Sequence, residues 1–401
     1  MKNNSIPGFP TLSYEDRPGV IKIAFLTPEY PNARTGNSGG IGTSIKNLAK
    51  GLLEEGCQVR VLVYGQKEEA VFDDDGIIIQ QIKNVKVKGL SWFFTRKKIE
   101  KIINQLYADA AIDLVEAPDW TGITSFIRPE KCPVVIKLHG SDTYFCNLDQ
   151  RKVKWKNKFH EKRALEKADA LLSVSQFTAD ETNRVFGLQK QFTIVPNSID
   201  ITSFETDKTI QEVPDTVLYF GSLIRKKGLL ELPFIFNELI KLNPKVKLIL
   251  VGKDVPDVIS GSASTWAMMQ TLFTEQALLN VNYLGSVPYQ EIQKHISEAA
   301  VCVFPSFAEA LPVSWIEAMA MQKAVVASNI GWATDVIDDG VNGFLVNPKN
   351  HEEYASKINI LLCNASMRQE FGISARKKVI QKFSISVVAQ QSSSFYKSLI
   401  K

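Results

Sequence analysis

Two glutamates lie eight positions apart in an otherwise apolar stretch, "SFAEALPVSWIEAMAM". A carboxylate in apolar surroundings costs free energy unless another group pairs with it, so Glu309 and Glu317 are candidate functional residues. The run before them, "AVCVFPS", is typical of a buried strand. Pro312 suits the first position of a following helix, with Leu311 as its N-cap. Glu317 is then inside the helix, and Glu309 is in the loop before it.

The start of this predicted helix is a candidate anion site. Leu311 has no side-chain oxygen, so it cannot cap the N–H groups of Val313, Ser314 and Trp315. Uncapped N–H groups and the helix dipole favour a phosphate. Carboxylates do not bind phosphate, but they accept hydrogen bonds from hydroxyl groups. A phosphate flanked by two hydroxyl-bearing groups describes a nucleotide sugar.

A glycine-rich loop, "GNSGGIG" (36–42), joins a predicted strand to a predicted helix. Gly39, Gly40 and Gly42 would let backbone N–H groups approach an anion at the helix N-terminus. The alternative is that these glycines only permit a tight turn. The loop is not a dinucleotide fingerprint, because Ile45 stands at the third glycine position and no acidic residue closes the next strand. The sequence therefore argues against a hydride-transferring enzyme.

Titratable and cationic side chains follow two other predicted strands. His139 ends "PVVIKLHG", at the strand end where doubly wound sheets bind ligands. A histidine merely hydrogen-bonded at a strand end is the alternative. Arg225, Lys226 and Lys227 in "FGSLIRKKG" lie between a strand and a helix, which suits a diphosphate. By charge alone, these cations would belong to a solvated loop.

Three consecutive aspartates, Asp73, Asp74 and Asp75, resemble an acidic metal cluster. The surrounding sequence, "FDDDGII", instead favours an Asp-Gly hairpin turn between two strands. We therefore predict a hairpin here and no metal site.

Apolar strands alternate with helical patterns along the chain, in two series. The first series starts at "VIKIAFLT" (20–27) and the second at "TVLYFGS", after a Pro-, Asn- and Asp-bearing segment (196–215). Such alternation predicts an α/β protein with parallel sheets. We predict two Rossmann-like, doubly wound domains. The expected divisions are an N-terminal tail (1–19), a first domain (20–197), a second domain (198–380) and a C-terminal helix (381–401) that crosses back to the first domain.

Composition limits the class of protein. The 401 residues carry 47 Lys and Arg against 43 Asp and Glu, a formal charge of +4, which does not indicate a nucleic-acid partner. The five cysteines are scattered and never spaced as C-x-x-C, which is typical of reduced thiols in a cytosolic protein. The N-terminus lacks the apolar centre of a signal peptide, and no stretch reaches the length of a membrane span. We therefore expect a cytoplasmic protein.

The spacing of Glu309 and Glu317 resembles the E-x7-E signature of the retaining family-4 glycosyltransferases. "EALPVSWIEAMA" is similar to that family's "EGLPLSLLEAMA" variant. Further motifs agree in order along most of the chain: "GGIGTSIKNLAKGLLEEGCQVRVL", "LHGSD", "VPNSID", "GSLIRKKG", "LILVGKD", "YLGSVP" and "DDGVNGFLVNP". The resemblance implies the GT-B fold, in which two Rossmann-like domains face a central cleft. The first domain would serve the acceptor and the second the nucleotide-sugar donor.

The resemblance also implies roles for the candidate residues. Glu317 would bind the nucleotide ribose, and Glu309 the donor sugar hydroxyls beside the reacting carbon. Lys227 would bind a donor phosphate, and His139 would lie near the donor sugar. The remaining implied contacts are Gly40, Ile41, Gly42, Arg225, Leu311 and Val313 at the diphosphate, and Gly252, Ser286 and Val287 at the ribose and base.

One position departs from the family pattern. The usual "GRL" is "GSL" here, so Ser222 stands where the family has an arginine that grips the diphosphate. We predict that Arg225, three residues further on, compensates for the missing charge.

The implied activity is transfer of a sugar from a nucleotide-diphosphate sugar to a saccharide or lipid-linked acceptor, with retention at the anomeric carbon and without a metal. Cations and helix N–H groups would stabilise the departing nucleoside diphosphate, and the domains would close to exclude water. No residue stands out as a covalent nucleophile, which favours a front-face route. The alternatives are a nucleotide-sugar epimerase or phosphorylase of the same fold, or a non-catalytic nucleotide-sugar binding protein.

Two segments set lysine and arginine beside aromatic residues, "DQRKVKWKNKFHEKR" (149–163) and "GLSWFFTRKK" (89–98). This pattern is found in segments that lie on membrane surfaces, and it predicts peripheral contact at the inner face of a membrane. The alternative is a solvated basic helix beside a partly buried aromatic cluster.

Overall fold

The computed structural model describes residues 19–36, 38–205 and 209–400, apart from the side chains of Tyr289 and Gln290. The chain forms two compact units. The first contains the described residues up to Tyr144, together with Lys152–Ser198 and the chain from Ile385 onward. The second contains Phe145–Arg151 and Ile199–Ser384.

The first unit is built on an eight-stranded sheet with the order β3-β4-β2-β1-β5-β6-β7-β8. Every neighbouring pair is parallel except β3 and β4. The central strands β5 and β6 are buried along their whole length and β1 is buried after its first residue, as expected where helices cover both faces of a parallel sheet. The strands are β1 (Lys22–Thr27), β2 (Gln58–Gln66), β3 (Ala70–Asp74), β4 (Ile77–Lys83), β5 (Leu114–Pro118), β6 (Val134–Leu138), β7 (Ala170–Ser173) and β8 (Thr193–Ile194).

Helices connect these strands. They are α1 (Gly40–Glu54), α2 (Ser91–Ala108), a 3-10 helix (Trp120–Phe126), α3 (Asp142–Leu148), α4 (Trp155–Lys167) and α5 (Gln176–Phe186). The second half of α3, from Phe145, belongs to the second unit. This division was not predicted from the sequence.

The predicted hairpin is confirmed between β3 and β4. Asp75 and Gly76 form the two-residue turn, with φ of 54° and 84°, as a type I′ turn requires. The Asp74 carboxylate accepts hydrogen bonds from Tyr30 Oη at 2.8 Å and Asn32 Nδ2 at 2.9 Å, and it pairs with Lys46 Nζ at 2.9 Å. Asp74 is therefore a structural anchor. Among the described residues, no group of three or more His, Cys, Asp or Glu is placed to hold a metal ion.

The second unit contains a six-stranded, fully parallel sheet with the order β11-β10-β9-β12-β13-β14. Two parallel-sheet α/β units confirm the predicted fold class. The strands are β9 (Thr216–Phe220), β10 (Lys247–Val251), β11 (Val281–Tyr283), β12 (Val301–Phe304), β13 (Ala324–Ser328) and β14 (Phe344–Val346).

The helices of the second unit are a 3-10 helix (Arg225–Lys227), α6 (Leu232–Leu242), α7 (Thr265–Gln270), α8 (Glu275–Leu278), α9 (Tyr289–Glu298), α10 (Val313–Ala320), α11 (Ala333–Val336), α12 (His351–Cys363) and α13 (Ala365–Lys382).

The last helix, α14 (Ile385–Leu399), packs in the first unit against α1. Its Val388, Ala389 and Tyr396 are fully buried in the core around β1 and β2. Within the described residues, no helix combines the length and the apolar character needed to cross a membrane.

Candidate functional site

Glu309 lies in the loop between β12 and α10 and is buried, with 9% of its surface exposed. Its carboxylate pairs with the Lys227 ammonium at 3.0 Å, and Ser306 Oγ donates to the same oxygen at 3.3 Å. Lys227 belongs to the loop that follows β9, the neighbour of β12 in the sheet. Two of the predicted donor-site residues therefore form an ion pair at the carboxyl ends of adjacent strands.

Backbone contacts join these two loops. The N–H groups of Phe307 and Ala308 donate to the carbonyl of Lys226 at 2.8 and 3.2 Å. Gly228 has φ of 73°, and a side chain here would overlap the carbonyl of Pro305. Glycine is therefore required at this close approach. The geometry of the Lys227–Glu309 pair is fixed by the backbone as well as by the ion pair itself.

Helix α10 begins one residue later than predicted. Pro312 is the N-cap and Val313 the first helical residue, so the predictions of Leu311 as N-cap and Pro312 in the first turn were wrong. The difference arises because Pro312 has ψ of 106°, which is extended rather than helical. No side chain caps this end, as predicted, and Leu311 is buried beside it. Glu317 is the fifth residue of the helix and is buried at 7% exposure.

Arg225 forms an ion pair with Asp257, which was not predicted from the sequence. Its Nε and Nη2 donate to both carboxylate oxygens of Asp257, at 2.8 and 2.7 Å. The hydrogen bonds from Arg225 hold the pKa of Asp257 well below its usual range, and the same pair raises the pKa of Arg225. Two of the nitrogens on Arg225 are thus already used within the unit.

Three glycines close the carboxyl ends of β9, β10 and β11. Gly221 N donates to Val251 O at 2.9 Å, and Gly252 N donates to Gly285 O at 2.8 Å. Gly252 has φ of 146°, and a side chain there would overlap the carbonyl of Gly221. The predicted base- and ribose-binding positions Gly252, Ser286 and Val287 therefore lie at the same edge of the sheet as Lys227 and Glu309.

In the first unit, His139 follows β6 and its backbone N–H donates to Asp119 Oδ1 at 2.9 Å. Burial and the nearby Lys137 ammonium lower the pKa of His139 to about 3, so the imidazole is neutral at physiological pH. Asp119 follows the neighbouring strand β5 and is 1% exposed, and burial raises its pKa to about 7. Asp119 was missed by sequence reasoning, although its position directly after "LVEAP" is the same strand-end signal that identified His139.

The glycine-rich loop of the first unit contains a carboxylate that was also missed. Glu29 follows β1, and its Oε1 accepts from Gly42 N at 3.0 Å in the first turn of α1. A side chain at Gly42 would overlap Ser38 and the Glu29 backbone, whereas one at Gly40 would meet nothing within 4 Å. Close packing therefore explains Gly42, and Gly40 and Ile41 remain candidate ligand-binding positions. Asn37 lies outside the described residues.

Comparison with known proteins covers both units. Residues 38–203 match the family model of Glycosyltransferase Family 4, and residues 200–378 match that of Glycosyl transferases group 1. An uncharacterized glycosyltransferase of Methanocaldococcus jannaschii is 25% identical over 94% of this chain and 98% of its own length.

A putative teichuronic acid biosynthesis glycosyltransferase of Bacillus subtilis, TuaC, is 27% identical over 84% of this chain and 88% of its own. Among solved structures, Anabaena HepE in complex with UDP-glucose superposes with a TM-score of 0.71 at 20% identity. That match covers 94% of this chain and 100% of HepE.

Proposed function

The chain belongs to the GT-B glycosyltransferases that join a Family 4 domain to a group 1 domain. We therefore propose that it transfers a sugar from a nucleotide-diphosphate sugar to a saccharide or lipid-linked acceptor. The anomeric configuration of the sugar would be retained. The observation that carries this proposal is the ion pair between the half-buried Lys227 and the buried Glu309. It places a cation and an anion side by side, next to the uncapped start of α10.

When the bond between the sugar and the phosphate breaks, negative charge develops on the diphosphate and positive charge on the anomeric carbon. The Lys227–Glu309 pair offers one group of opposite sign for each of these charges. Lys227 and the N–H groups at the start of α10, beginning at Val313, would stabilise the negative diphosphate. Glu309 would accept from the sugar hydroxyls and stabilise the positive charge that develops at the anomeric carbon. Because Lys227 holds Glu309 in a fixed, desolvated position, this stabilisation needs no rearrangement during the reaction.

Glu317 would serve the nucleotide half of the donor by accepting from the ribose hydroxyls. Backbone groups of Gly252, Ser286 and Val287 would bind the base. Gly252 follows β10, and Ser286 and Val287 follow β11, at the carboxyl ends of strands where doubly wound sheets bind ligands. Glu317 lies in the helix that follows the nearby strand β12.

In the first unit, the neutral imidazole of His139 would contact the donor sugar, and Asp119 would act as a positioning residue that fixes the backbone of His139. The N–H groups of Gly40 and Ile41 would meet the diphosphate. Gly42 is engaged by Glu29, so its N–H would not take part.

We assign the charge missing at Ser222 to Lys253 rather than to Arg225. Lys253 O accepts from Leu223 N at 2.8 Å, which places Lys253 beside Ser222 at the strand ends. Arg225 is held by Asp257, and Lys226 is half-buried with its ammonium 3.5 Å from the centre of the Phe145 ring. Lys253 is exposed and has no ion pair within the part of the chain that the structure describes.

Lys227, Lys253 and the N–H groups at the start of α10 would neutralise the diphosphate. We therefore propose that the reaction needs no metal cofactor. We further propose a cytoplasmic location at the inner face of the membrane, where all five cysteines, none in a disulfide, would remain reduced. TuaC is named for teichuronic acid biosynthesis, which supports a surface polysaccharide as the acceptor class here.

Incubation with a panel of nucleotide sugars tests the activity. We expect nucleoside diphosphate release that is stimulated by a saccharide or lipid-linked acceptor and unaffected by EDTA. The NMR coupling constant of the product's anomeric proton, compared with that of the donor, reports retention.

Three results would contradict the proposal. Donor consumption that yields an isomerised sugar would indicate an epimerase, and a requirement for free phosphate would indicate a phosphorylase. Complete loss of turnover with EDTA, restored by Mg²⁺ or Mn²⁺, would overturn metal independence.

A further inference from the structure

The two basic, aromatic segments of the sequence form one surface on the first unit. Trp92, near the start of α2, contacts the Phe126 ring at 5.5 Å and the His160 ring of α4 at 5.1 Å between centroids. Phe126 in turn contacts Phe159 at 6.4 Å. Arg163 Nε donates to Ser125 O at 2.8 Å and holds α4 against the 3-10 helix. We call residues 83–101 and 152–163 together the aromatic-basic face.

Large apolar side chains on this face are exposed to solvent. Trp155 is 73% exposed, Leu90 50% and Phe159 49%, and Trp92 and Phe94 are each about two-fifths exposed. Trp155 and Phe159 lie one turn apart on α4, so they share one side of that helix. Exposed apolar side chains that cluster in this way mark an interaction surface.

The same face is strongly cationic. Its 31 residues contain thirteen lysines and arginines and two glutamates. Glu161 is fully buried and accepts from the N–H groups of Asp142 and Thr143, and Glu100 is paired with Lys97 at 2.9 Å. The whole chain has a formal charge of only +4, so the remaining 370 residues are net acidic. The positive charge of the protein is thus concentrated on the face that exposes the aromatic side chains.

We propose that the aromatic-basic face docks on a bilayer that contains anionic lipids. Tryptophan, phenylalanine and leucine insert at the boundary between headgroups and acyl chains, and the lysines around them bind lipid phosphates. Nine lysines of the face are exposed, namely Lys83, Lys86, Lys88, Lys97, Lys101, Lys152, Lys154, Lys156 and Lys158. Leu90 argues against a polysaccharide, since sugars stack on aromatic rings but gain little from an aliphatic side chain. Docking on the bilayer does not depend on the transfer reaction. A test can therefore disprove membrane docking without disproving the proposed sugar transfer, and the reverse.

Vesicle flotation tests the docking with the full chain and no substrate. We expect co-flotation with vesicles of phosphatidylcholine and 30% phosphatidylglycerol, weaker binding at high salt, and none with phosphatidylcholine alone. Lys156→Gln with Lys158→Gln should weaken the vesicle affinity about fivefold for each lysine removed. Trp155→Ala with Phe159→Ala should weaken it about tenfold or more, because two exposed apolar anchors are lost.

Matched variants in the second unit control for charge and hydrophobicity. Lys245→Gln with Lys247→Gln and Leu279→Ala alter exposed residues of the second unit, which are not part of the face, and they should bind vesicles like the wild type. Thermal unfolding of each variant separates loss of binding from loss of fold. Absence of flotation, equal flotation with neutral vesicles, or equal losses in the control variants would overturn the proposal. So would tight binding to a soluble anionic polysaccharide without any binding to vesicles.

Discussion

At the scale of single residues, the sequence identified the acidic members of the candidate site better than their partners. Glu309 and Glu317 were visible because carboxylates are rare in an apolar run. The pairing of Glu309 with Lys227 and of Arg225 with Asp257 depends on loops from different strands. Sequence spacing carries no such information. The prediction that Arg225 replaces the missing arginine did not foresee that Asp257 holds two of its nitrogens.

Lys253→Gln tests which cation stands in for the arginine absent at Ser222. We expect a five- to tenfold loss of nucleoside diphosphate affinity, with a weaker dependence of that affinity on salt, because one cation–phosphate contact is lost. Lys247→Gln is the control, since Lys247 begins the same strand that Lys253 follows and is also exposed. Calorimetric titration with the nucleoside diphosphate measures the affinity of each variant. Equal affinities for Lys253→Gln and Lys247→Gln would show that Lys253 does not bind the diphosphate.

Asp119 makes the stability of the first unit depend on pH. Burial raises its pKa from 3.8 in the unfolded chain to about 7 in the folded one. The folded state therefore binds the extra proton between these values, so stability falls as pH rises from about 4 to about 7. A shift of this size corresponds to roughly 4 kcal/mol.

Asp119→Asn removes the titration and keeps an oxygen for His139 N. Denaturant unfolding of the first unit at pH 5 and pH 8 should show that the wild type loses more stability than Asp119→Asn. Parallel losses in the two proteins would show that Asp119 does not titrate in this range.

At the scale of elements, the strands were the most predictable part of the fold. The predicted strand runs "VIKIAFLT", "PVVIKLHG", "TVLYFGS" and "AVCVFPS" contain β1, β6, β9 and β12 of the structure. A buried parallel strand needs a continuous apolar run, and that signal is local. The start of α10 was misplaced by one residue, because Pro312 has an extended ψ of 106° where a helical value was expected. The strand order is set by packing of the whole sheet and could not be derived from these patterns.

The contact between α1 and α14 is expected to be sensitive at Gly51. A Cβ there would lie 2.5 Å from Ile385 Cγ2 and 2.7 Å from Ala389 Cβ. Gly51→Ala should therefore destabilise the first unit by about 1–3 kcal/mol through overpacking, despite the better helix propensity of alanine. Gly40→Ala, also in α1, has open space and should be neutral or slightly stabilising. Equal unfolding midpoints for the two variants would contradict this packing.

At the scale of the whole molecule, the chain passes between its two units more often than the sequence suggested. It leaves the first unit at Tyr144, returns at Lys152, leaves again after Ser198 and returns at Ile385. The linker near residue 200 was apparent from its Pro, Asn and Asp content. The assignment of residues 145–151 to the second unit was not apparent from the sequence. This segment lies between a strand and a helix of the first unit, and its composition does not differ from that of its surroundings.

The different roles of the two glutamates are the central claim, and one paired measurement tests it. Calorimetric nucleoside diphosphate affinity and steady-state turnover should be determined for Glu309→Gln and Glu317→Ala. Glu317 would contact the ribose in ground and transition states alike, so Glu317→Ala should weaken nucleoside diphosphate binding by about 1.5–3 kcal/mol, roughly ten- to a hundredfold.

Glu309→Gln should reduce kcat and leave nucleoside diphosphate affinity almost unchanged, because Glu309 would contact the donor sugar and not the nucleotide. The opposite pattern, with nucleotide affinity lost in Glu309→Gln and kept in Glu317→Ala, would contradict the assignment of both residues.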